Sequence, residues 1–446
     1  MTTPPSPPAG RASARDTARV TAQVLLPLVA RGLIVRRPWV VAVAERIDAD
    51  RRAVRLLQSL RSRYGPGPLL LRLPLRSVAV VLSPEHVHRV LDGSPEPFAV
   101  ATVEKRAALS RFQPHGLLIS PADARPDRRR FNEAVLDSGA PVHGMAGDLV
   151  AKVREEAATL IAPAARSGHL GWDDFARAWW RIVRRVVLGD GARTDDAVTD
   201  VLAELRAEAN WAYLRPPGER RRAAFDRRLR AHLQRAEPGS LAHLVATTPA
   251  TAQTVPHDQV PQWLFAFDAA GMATFRALAL LATHPEQAAR ARDELAGRDL
   301  SQPQDLPHLR ACVLESLRLW PTTPGVLRES TVETTWDGGG TLPARTSLLI
   351  FAPLFHRDDR RMEHAHRFQP DLWSDPSAAQ RWPLIPFSDG PARCAGENLV
   401  LLVTSTLLAA LLEHHRFRLR SARRLRRRHG LPGTLDPFRL RFDVTA

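Results

Sequence analysis

Phe387-Ser388-Asp389-Gly390-Pro391-Ala392-Arg393-Cys394-Ala395-Gly396 is the stretch on which the reading of this chain turns. It is a Gly/Pro loop that presents one cysteine and then runs into a long apolar segment, from Ala395 to about His415, of helical character. A lone cysteine is usually a small buried hydrophobe. Cys312, inside Ala311-Cys312-Val313-Leu314, fits that description. Cys394 is expected at a helix N-terminus, behind glycines that let backbone amides point at its sulfur. The helix dipole and those donors favour the thiolate. A thiolate so placed is a nucleophile or a metal ligand. A cysteine hydrolase would need a positioned histidine, and the loop carries no local signature of that class.

Outward from the loop, Glu315-Ser316-Leu317-Arg318 lies 79 residues upstream, in a predicted helix from Leu306 to Trp320. Alone, Glu and Arg at i,i+3 would be an ordinary surface pair. Further upstream, Gln259 to Thr283 is apolar on nearly all faces, which marks a helix at the centre of a large domain. Asp268 within it needs a partner or a task, because an ionised carboxylate is costly to bury. His284-Pro285 ends this helix and starts another. Val142 to about Arg235 is helical in period, broken at Gly189–Gly191 and at Pro216-Pro217-Gly218, and Arg220 to Gln234 carries an arginine-rich outer face. Strand-like pieces are Leu69–Leu73, Val78–Leu82, parts of Thr341–Phe355, Phe417–Arg420 and a hairpin near Leu431–Phe442. Helices dominate, with small sheets at both ends and no repeats. The expectation is a mainly α protein with small β-sheets: a Pro/Ser/Arg-rich disordered tail over residues 1–18, then one domain over 19–446.

The 446 residues carry a net charge of +16, and all but two of the 63 Lys+Arg are arginine, the exceptions being Lys105 and Lys152. The basic residues are spread along the chain, aromatics are only 6%, and no nucleic-acid reader motif appears, so no nucleic-acid partner is expected. An acidic protein partner is the better use of such a surface. Two cysteines exclude a disulfide framework and fit a reducing compartment. Val24–Val35 is interrupted by Pro27 and Arg31 and is too short to span a bilayer. A cytoplasmic protein without a membrane partner, and a monomer, is therefore expected.

Taken in order, these motifs resemble the cytochrome P-450 superfamily. Phe387, Gly390, Cys394 and Gly396 match its signature F-x-x-G-x-x-x-C-x-G, and Glu315 with Arg318 matches its E-x-x-R helix. Pro321-Thr322-Thr323-Pro324-Gly325-Val326-Leu327-Arg328 resembles the segment that lines the substrate side of the haem and ends in a propionate-binding arginine. His356-Arg357-Asp358 and Phe368–Trp373 resemble later landmarks. The resemblance covers roughly residues 30–446. It implies a triangular helical prism with haem b (iron protoporphyrin IX) between the central helix and the cysteine loop. Cys394 would be the axial ligand of the haem iron, and Phe387, Gly390 and Gly396 would shape the loop that holds the cofactor. Glu315 and Arg318 would be structural. Arg328 is the expected propionate partner, with a second from Arg125–Arg130, by spacing Arg129. Phe265, Phe267, Ala270, Thr323 and Val326 are the expected substrate-pocket residues, although ordinary core packing explains any one of them equally well.

Three positions depart from the family pattern. The family's Arg or His two residues before the cysteine is Ala392 here; Arg393, one place later, is expected to contact the cofactor in its stead or to face a redox partner. The third member of the Glu-Arg-Arg triad falls on Leu372, so another residue must complete Glu315 and Arg318. Counted back from His284-Pro285, the acid-threonine pair of the central helix falls on Asp268 and Ala269. A competing register, Ala270-Gly271-Met272-Ala273-Thr274, supplies Thr274 but puts Ala273 at the acid and lies five residues out. The preferred register makes Asp268, with water or a substrate hydroxyl, the proton source beside Ala269.

The resemblance implies a monooxygenase that inserts one atom of O₂ into an apolar small molecule, in bacterial secondary metabolism, with electrons from a separate, acidic ferredoxin-type donor. Ala269 motivates a second reading, direct use of peroxide. Ala392 and Leu372 motivate a third, a haem-binding protein without enzymatic function.

Overall fold

The apolar stretch at the centre of the sequence forms one helix, Val260–Leu281, and 17 of its residues are buried. Around it pack the helices Trp172–Leu188, Pro307–Leu319 and Glu397–Leu412. Gly271 fixes the first contact: a Cβ there would lie 2.7 Å from the Trp179 ring. The Trp179 indole N–H donates to the Phe267 carbonyl at 2.7 Å, so the close approach also satisfies a buried donor. An aromatic cluster seals one end, with Phe275 4.7 Å from Phe175 and 5.1 Å from Phe442 between ring centroids. By length and composition Pro256–Leu281 could cross a membrane, but 78% of its apolar window is buried in this core.

The structure is a computed structural model and describes residues 10–445 apart from 215, 217, 338–339, 376, 378–382, 421–424 and 426–429. Much of the arginine-rich run at 418–428 and the first nine residues lie outside the described residues.

Three small sheets flank the helices. The strands are β1 (Leu69–Leu70), β2 (Val78–Val80), β3 (Phe98–Ala99), β4 (His169–Gly171), β5 (Gly325–Ser330), β6 (Thr334–Trp336), β7 (Gly340–Leu342), β8 (Ser347–Phe351), β9 (Arg416–Leu419) and β10 (Arg441–Thr445). The largest sheet has the order β1-β2-β8-β5-β3. β8 runs parallel to β2 and antiparallel to β5, whose Arg328 faces Leu348 in register. β4-β10-β9 forms the second sheet and β6-β7 the third. A hairpin over 431–442 does not form. β10 begins at Arg441 and pairs with β9 and β4, because Asp436 caps a short 3-10 turn that carries the chain away beforehand.

The expected disordered tail over residues 1–18 needs correction at its inner end. Arg11 bridges to Leu70, and Ala14–Val20 is a helix capped by Ser13. Ala12 and Val20 are fully buried, and Asp16 accepts hydrogen bonds from Tyr64, Ser13, Arg63 and Arg19. Burial opposes its ionisation, yet those four donors hold the Asp16 carboxyl down at about 2. Composition alone hid these anchors, since the Arg11–Leu70 bridge and the bonds of Asp16 to Arg63 and Tyr64 join residues about 50 positions apart.

Candidate functional site

The cysteine loop is built on unusual backbone. Ser388 and Gly390 both have φ near +65°, and a Cβ on Gly390 would lie 2.4 Å from the Leu91 carbonyl oxygen, so this position requires glycine. The Cys394 N–H donates to the Phe387 carbonyl at 2.9 Å, closing the loop. Phe387 packs against the main core. Gly396 is the N-cap of Glu397–Leu412, and its N–H donates to the Cys394 sulfur. Only Leu136, at 3.7 Å, stands near a Cβ at Gly396. That glycine therefore serves the sulfur rather than a steric need. His356 Nε2 accepts from the Ile385 N–H at 2.9 Å and ties the loop's upstream end to the helix Ala352–His356.

The Cys394 side chain is exposed, yet surrounding protein desolvates the thiol and pushes its pKa up, outweighing the Gly396 donor and the nearby Arg129 and Arg393 charges. A side chain both accessible and desolvated looks into a space lined by protein. The expected pKa depression from the helix terminus is thus corrected: without a metal the thiol prefers its proton, and metal ligation would supply the missing counter-charge.

Cations gather beside this loop. Arg328 is 3% exposed and donates to Ser94 Oγ at 2.9 Å, to its neighbour's carbonyl at 3.0 Å and to Ser388 Oγ of the loop at 3.1 Å. Arg125 is 7% exposed and donates to the Leu117 carbonyl at 3.1 Å. Lys105 donates to the carbonyls of Val100 and Leu327 at 2.9 and 3.0 Å. None of these bonds reaches a carboxylate. Burial pushes Arg328 and Arg125 down to about 10, with Arg125 pressing on Arg328. Burial and the two arginines push Lys105 well below its ordinary value. Three mutually repelling cations held by neutral groups form a receptor for anions, and the two propionates of a haem supply two.

Arg129 and Arg393 do not join this cluster. Arg129 pairs with Glu133 at 2.5 Å and donates to the Arg393 carbonyl. Arg393 pairs with Glu397 at 2.6 Å, with its side chain 56% exposed. Both ion pairs are local in sequence. The buried arginines of the Arg129 helix are Arg125 and Arg128, and Arg128 is taken up by the Gln253 carbonyl and the Ser120 hydroxyl, which leaves Arg125 beside the cluster. Sequence reasoning preferred Arg129 to Arg125 within the run Arg125–Arg130 and missed Lys105. The signal for Lys105 was its rarity, an ammonium in a chain that otherwise writes arginine.

Glu315 and Arg318 are fully buried and joined at 2.6 and 2.7 Å. Arg318 also donates to the carbonyls of His356, Ala365 and Arg367. Glu315 takes its remaining hydrogen bonds from the Gln369 N–H at 2.8 Å and the Trp373 indole N–H at 3.0 Å. Trp373 therefore completes the triad in place of an arginine at 372, while Leu372 packs beside Met362 and Leu384.

On the central helix, Gln262, Phe265, Ala266, Asp268 and Ala269 are partly exposed, whereas Phe267 and Ala270 are buried. Phe267 faces Trp179, with ring centroids 6.0 Å apart, and so leaves the list of pocket residues together with Ala270. Thr274 is fully buried and donates to the Ala270 carbonyl at 2.8 Å, which removes the competing register from the open face. Asp268 pairs with Arg206 at 2.5 Å, and the Arg206 guanidinium lies 4.7 Å from the centroid of the Phe265 ring. Of the remaining pocket residues, Thr323 is exposed, and Val326 on β5 is partly buried opposite Ile350.

A family model described as Cytochrome P450 matches residues 263–435. Among curated proteins, Cyclooctat-9-en-7-ol 5-monooxygenase of Streptomyces melanosporofaciens is 34% identical over 148 residues, 31% of this chain and 32% of that protein. Cytochrome P450 4c3 of Drosophila melanogaster is 32% identical over 150 residues, 31% of this chain and 28% of that protein. The matched segment thus spans about a third of the length of these relatives. Among solved structures, a retinoic acid-bound cyanobacterial CYP120A1 superposes with a TM-score of 0.69 at 17% identity, covering 86% of this chain and 93% of that one. A zebra fish cytochrome P450 solved with progesterone gives 0.68 at 19% identity, covering 88% and 99%.

Proposed function

We propose that the chain, which matches the Cytochrome P450 family model over residues 263–435 and shares the fold of solved cytochromes P450, binds haem b and is a haem-thiolate monooxygenase inserting one oxygen atom from O₂ into an apolar small molecule. The observation that carries this reading is Cys394, accessible and desolvated on a loop closed by Gly390 and flanked by buried cations. Haem, when bound, supplies the reductive activation of dioxygen. Cys394 would hold the iron through its thiolate, and the Gly396 N–H would temper the sulfur's basicity. Arg328, with Lys105 and Arg125, would hold the propionates, and the Arg328–Ser388 hydrogen bond would couple them to the cysteine loop. Phe265, Ala266 and Ala269 offer an apolar face to substrate. Asp268 is held by Arg206 at 2.5 Å, and water or a substrate hydroxyl would carry the proton past Ala269.

Electrons come from a separate acidic ferredoxin-type donor, supported by the charge of +16 and by exposed Arg393 in the cysteine loop. A monomeric, cytoplasmic enzyme of bacterial secondary metabolism is part of the same reading, supported by the Streptomyces relative. The first test is the carbonyl complex of the reduced protein: a red-shifted thiolate Soret band is expected, and its absence would remove the enzymatic reading. Asp268→Asn should slow product formation at least tenfold and divert electrons to peroxide; unchanged turnover and coupling would end the role of Asp268. Ala269, open and without a hydroxyl, favours one second reading, direct use of peroxide. Turnover with peroxide and none with O₂ and a competent reductase would establish it.

A further inference from the structure

Arginines bonded to neutral groups and without a carboxylate partner, as in the propionate receptor, also line a cavity elsewhere in the molecule. This small cavity, partly open to solvent, lies between the central helix, the segment after Arg318 and the loop before β10. Arg276 of the central helix enters it, 8% exposed. Its guanidinium donates to the carbonyls of Trp320 at 3.1 Å and Leu435 at 2.7 Å, and its buried Nε has no partner. Arg36 comes from the opposite wall and donates to the carbonyls of Gly32 at 2.6 Å and Thr322 at 2.5 Å.

None of the acids nearby is paired with Arg36 or Arg276. Asp50, the one carboxylate in the lining, is held by Arg31 in two bonds of 2.7 Å and by the Thr434 hydroxyl at 2.9 Å. Asp268 belongs to Arg206. Asp436 lies outside the lining, caps the Phe438 N–H at 2.9 Å, and has its carboxyl pushed up by burial, toward the neutral form. Burial pushes Arg36 and Arg276 down to about 10, with Arg31 pressing on Arg36 and Arg36 on Arg276. Two guanidiniums with no carboxylate of their own therefore share one cavity.

We propose that Arg36 and Arg276 are a carboxylate-binding subsite and that the substrate is an apolar acid anchored there by its carboxylate. This deepens the monooxygenase reading and rests on it. Arg276 and Met272 follow Ala269 by seven and three residues and so continue its helix face. At a rise of 1.5 Å per residue the acid group is held about 10 Å along the axis from Ala269. Oxidation accordingly falls on a carbon remote from the carboxylate.

The test uses the haem-loaded protein after its carbonyl complex has shown the thiolate Soret band. Spin-state titrations compare matched acids and alcohols: dodecanoate with dodecanol, and 4-hexylbenzoate with 4-hexylbenzyl alcohol. At least one acid should bind tenfold or more tightly than its alcohol. Arg276→Met should abolish the preference, Arg276→Lys should keep part of it, and Arg36→Met should weaken it. Arg36→Met and Arg276→Lys guard against a folding defect in Arg276→Met, and each must retain the Soret band. Equal affinity within both pairs, or a preference that survives Arg276→Met and Arg36→Met, would overturn the subsite. Calorimetric titration with dodecanoate and dodecanol reads the same preference without the haem signal. A missing Soret band with intact acid preference would therefore sink the monooxygenase reading and spare the subsite.

Discussion

Trp373 shows how a motif can be incomplete in the sequence and complete in the molecule. The family pattern asks for an arginine at 372, and the next residue meets the same need with one indole N–H aimed at a fully buried carboxylate. Trp373→Phe keeps the ring's packing and removes that donor. It should lower stability by about 1–3 kcal/mol, the cost of leaving a buried charged acceptor short of a partner, as read by urea unfolding. The cations follow the same logic. Arg328→Met and Lys105→Met should each speed haem loss by roughly tenfold or more, the kinetic equivalent of one charge-assisted bond. Transfer of haem to an excess of apomyoglobin measures it. Arg129→Met should change that rate far less, because Glu133 and the Arg393 carbonyl already hold its guanidinium.

At the scale of elements, the cysteine loop was legible because its spacing is local: Phe387, Gly390, Cys394 and Gly396 lie within ten residues. The open face of the central helix was not. A helix apolar on every side carries no phase in its sequence, so Phe267 and Ala270 looked as good as Phe265 and Ala269. What sets the phase is Gly271 against Trp179, a contact between residues 92 apart. The loop's other anchor brings a pH dependence. Burial, and then Arg318, hold His356 down at about 3, and its neutral Nε2 accepts from the Ile385 N–H. Between the ordinary histidine value of 6.5 and about 3, the unfolded chain binds a proton that the folded one refuses. The stability this group contributes is therefore intact above 6.5 and falls by about 1.4 kcal/mol per pH unit below it. Unfolding at pH 7 and pH 5 should show that slope in the wild type and lose it in His356→Gln.

For the whole molecule, the excess of arginine divides into three populations. Some residues, such as Arg318 and Arg357, are fully buried fasteners of backbone carbonyls. Others, such as Arg328 and Arg276, bond only neutral groups and stand beside the cysteine loop or a cavity, where we place anionic ligands. The exposed remainder sets the field seen by an electron carrier. The rate of reduction by an acidic ferredoxin should fall on the order of tenfold between low salt and 0.5 M. A rate indifferent to ionic strength would exclude electrostatic docking. Composition reported the total, but burial and partners sort the three populations, and these depend on the fold.

The trio of Lys105, Arg125 and Arg328 also bears on how the protein is made. A polypeptide that encloses three like charges among carbonyls and hydroxyls carries internal repulsion until a dianion arrives. Any ligand that binds only the native state adds its binding free energy to the stability of that state. Haem supply, and not only translation, should thus set the yield of folded enzyme. Chains made faster than haem can reach them should melt lower and be cut sooner by proteases, and adding a haem precursor to the growth medium should raise the folded fraction.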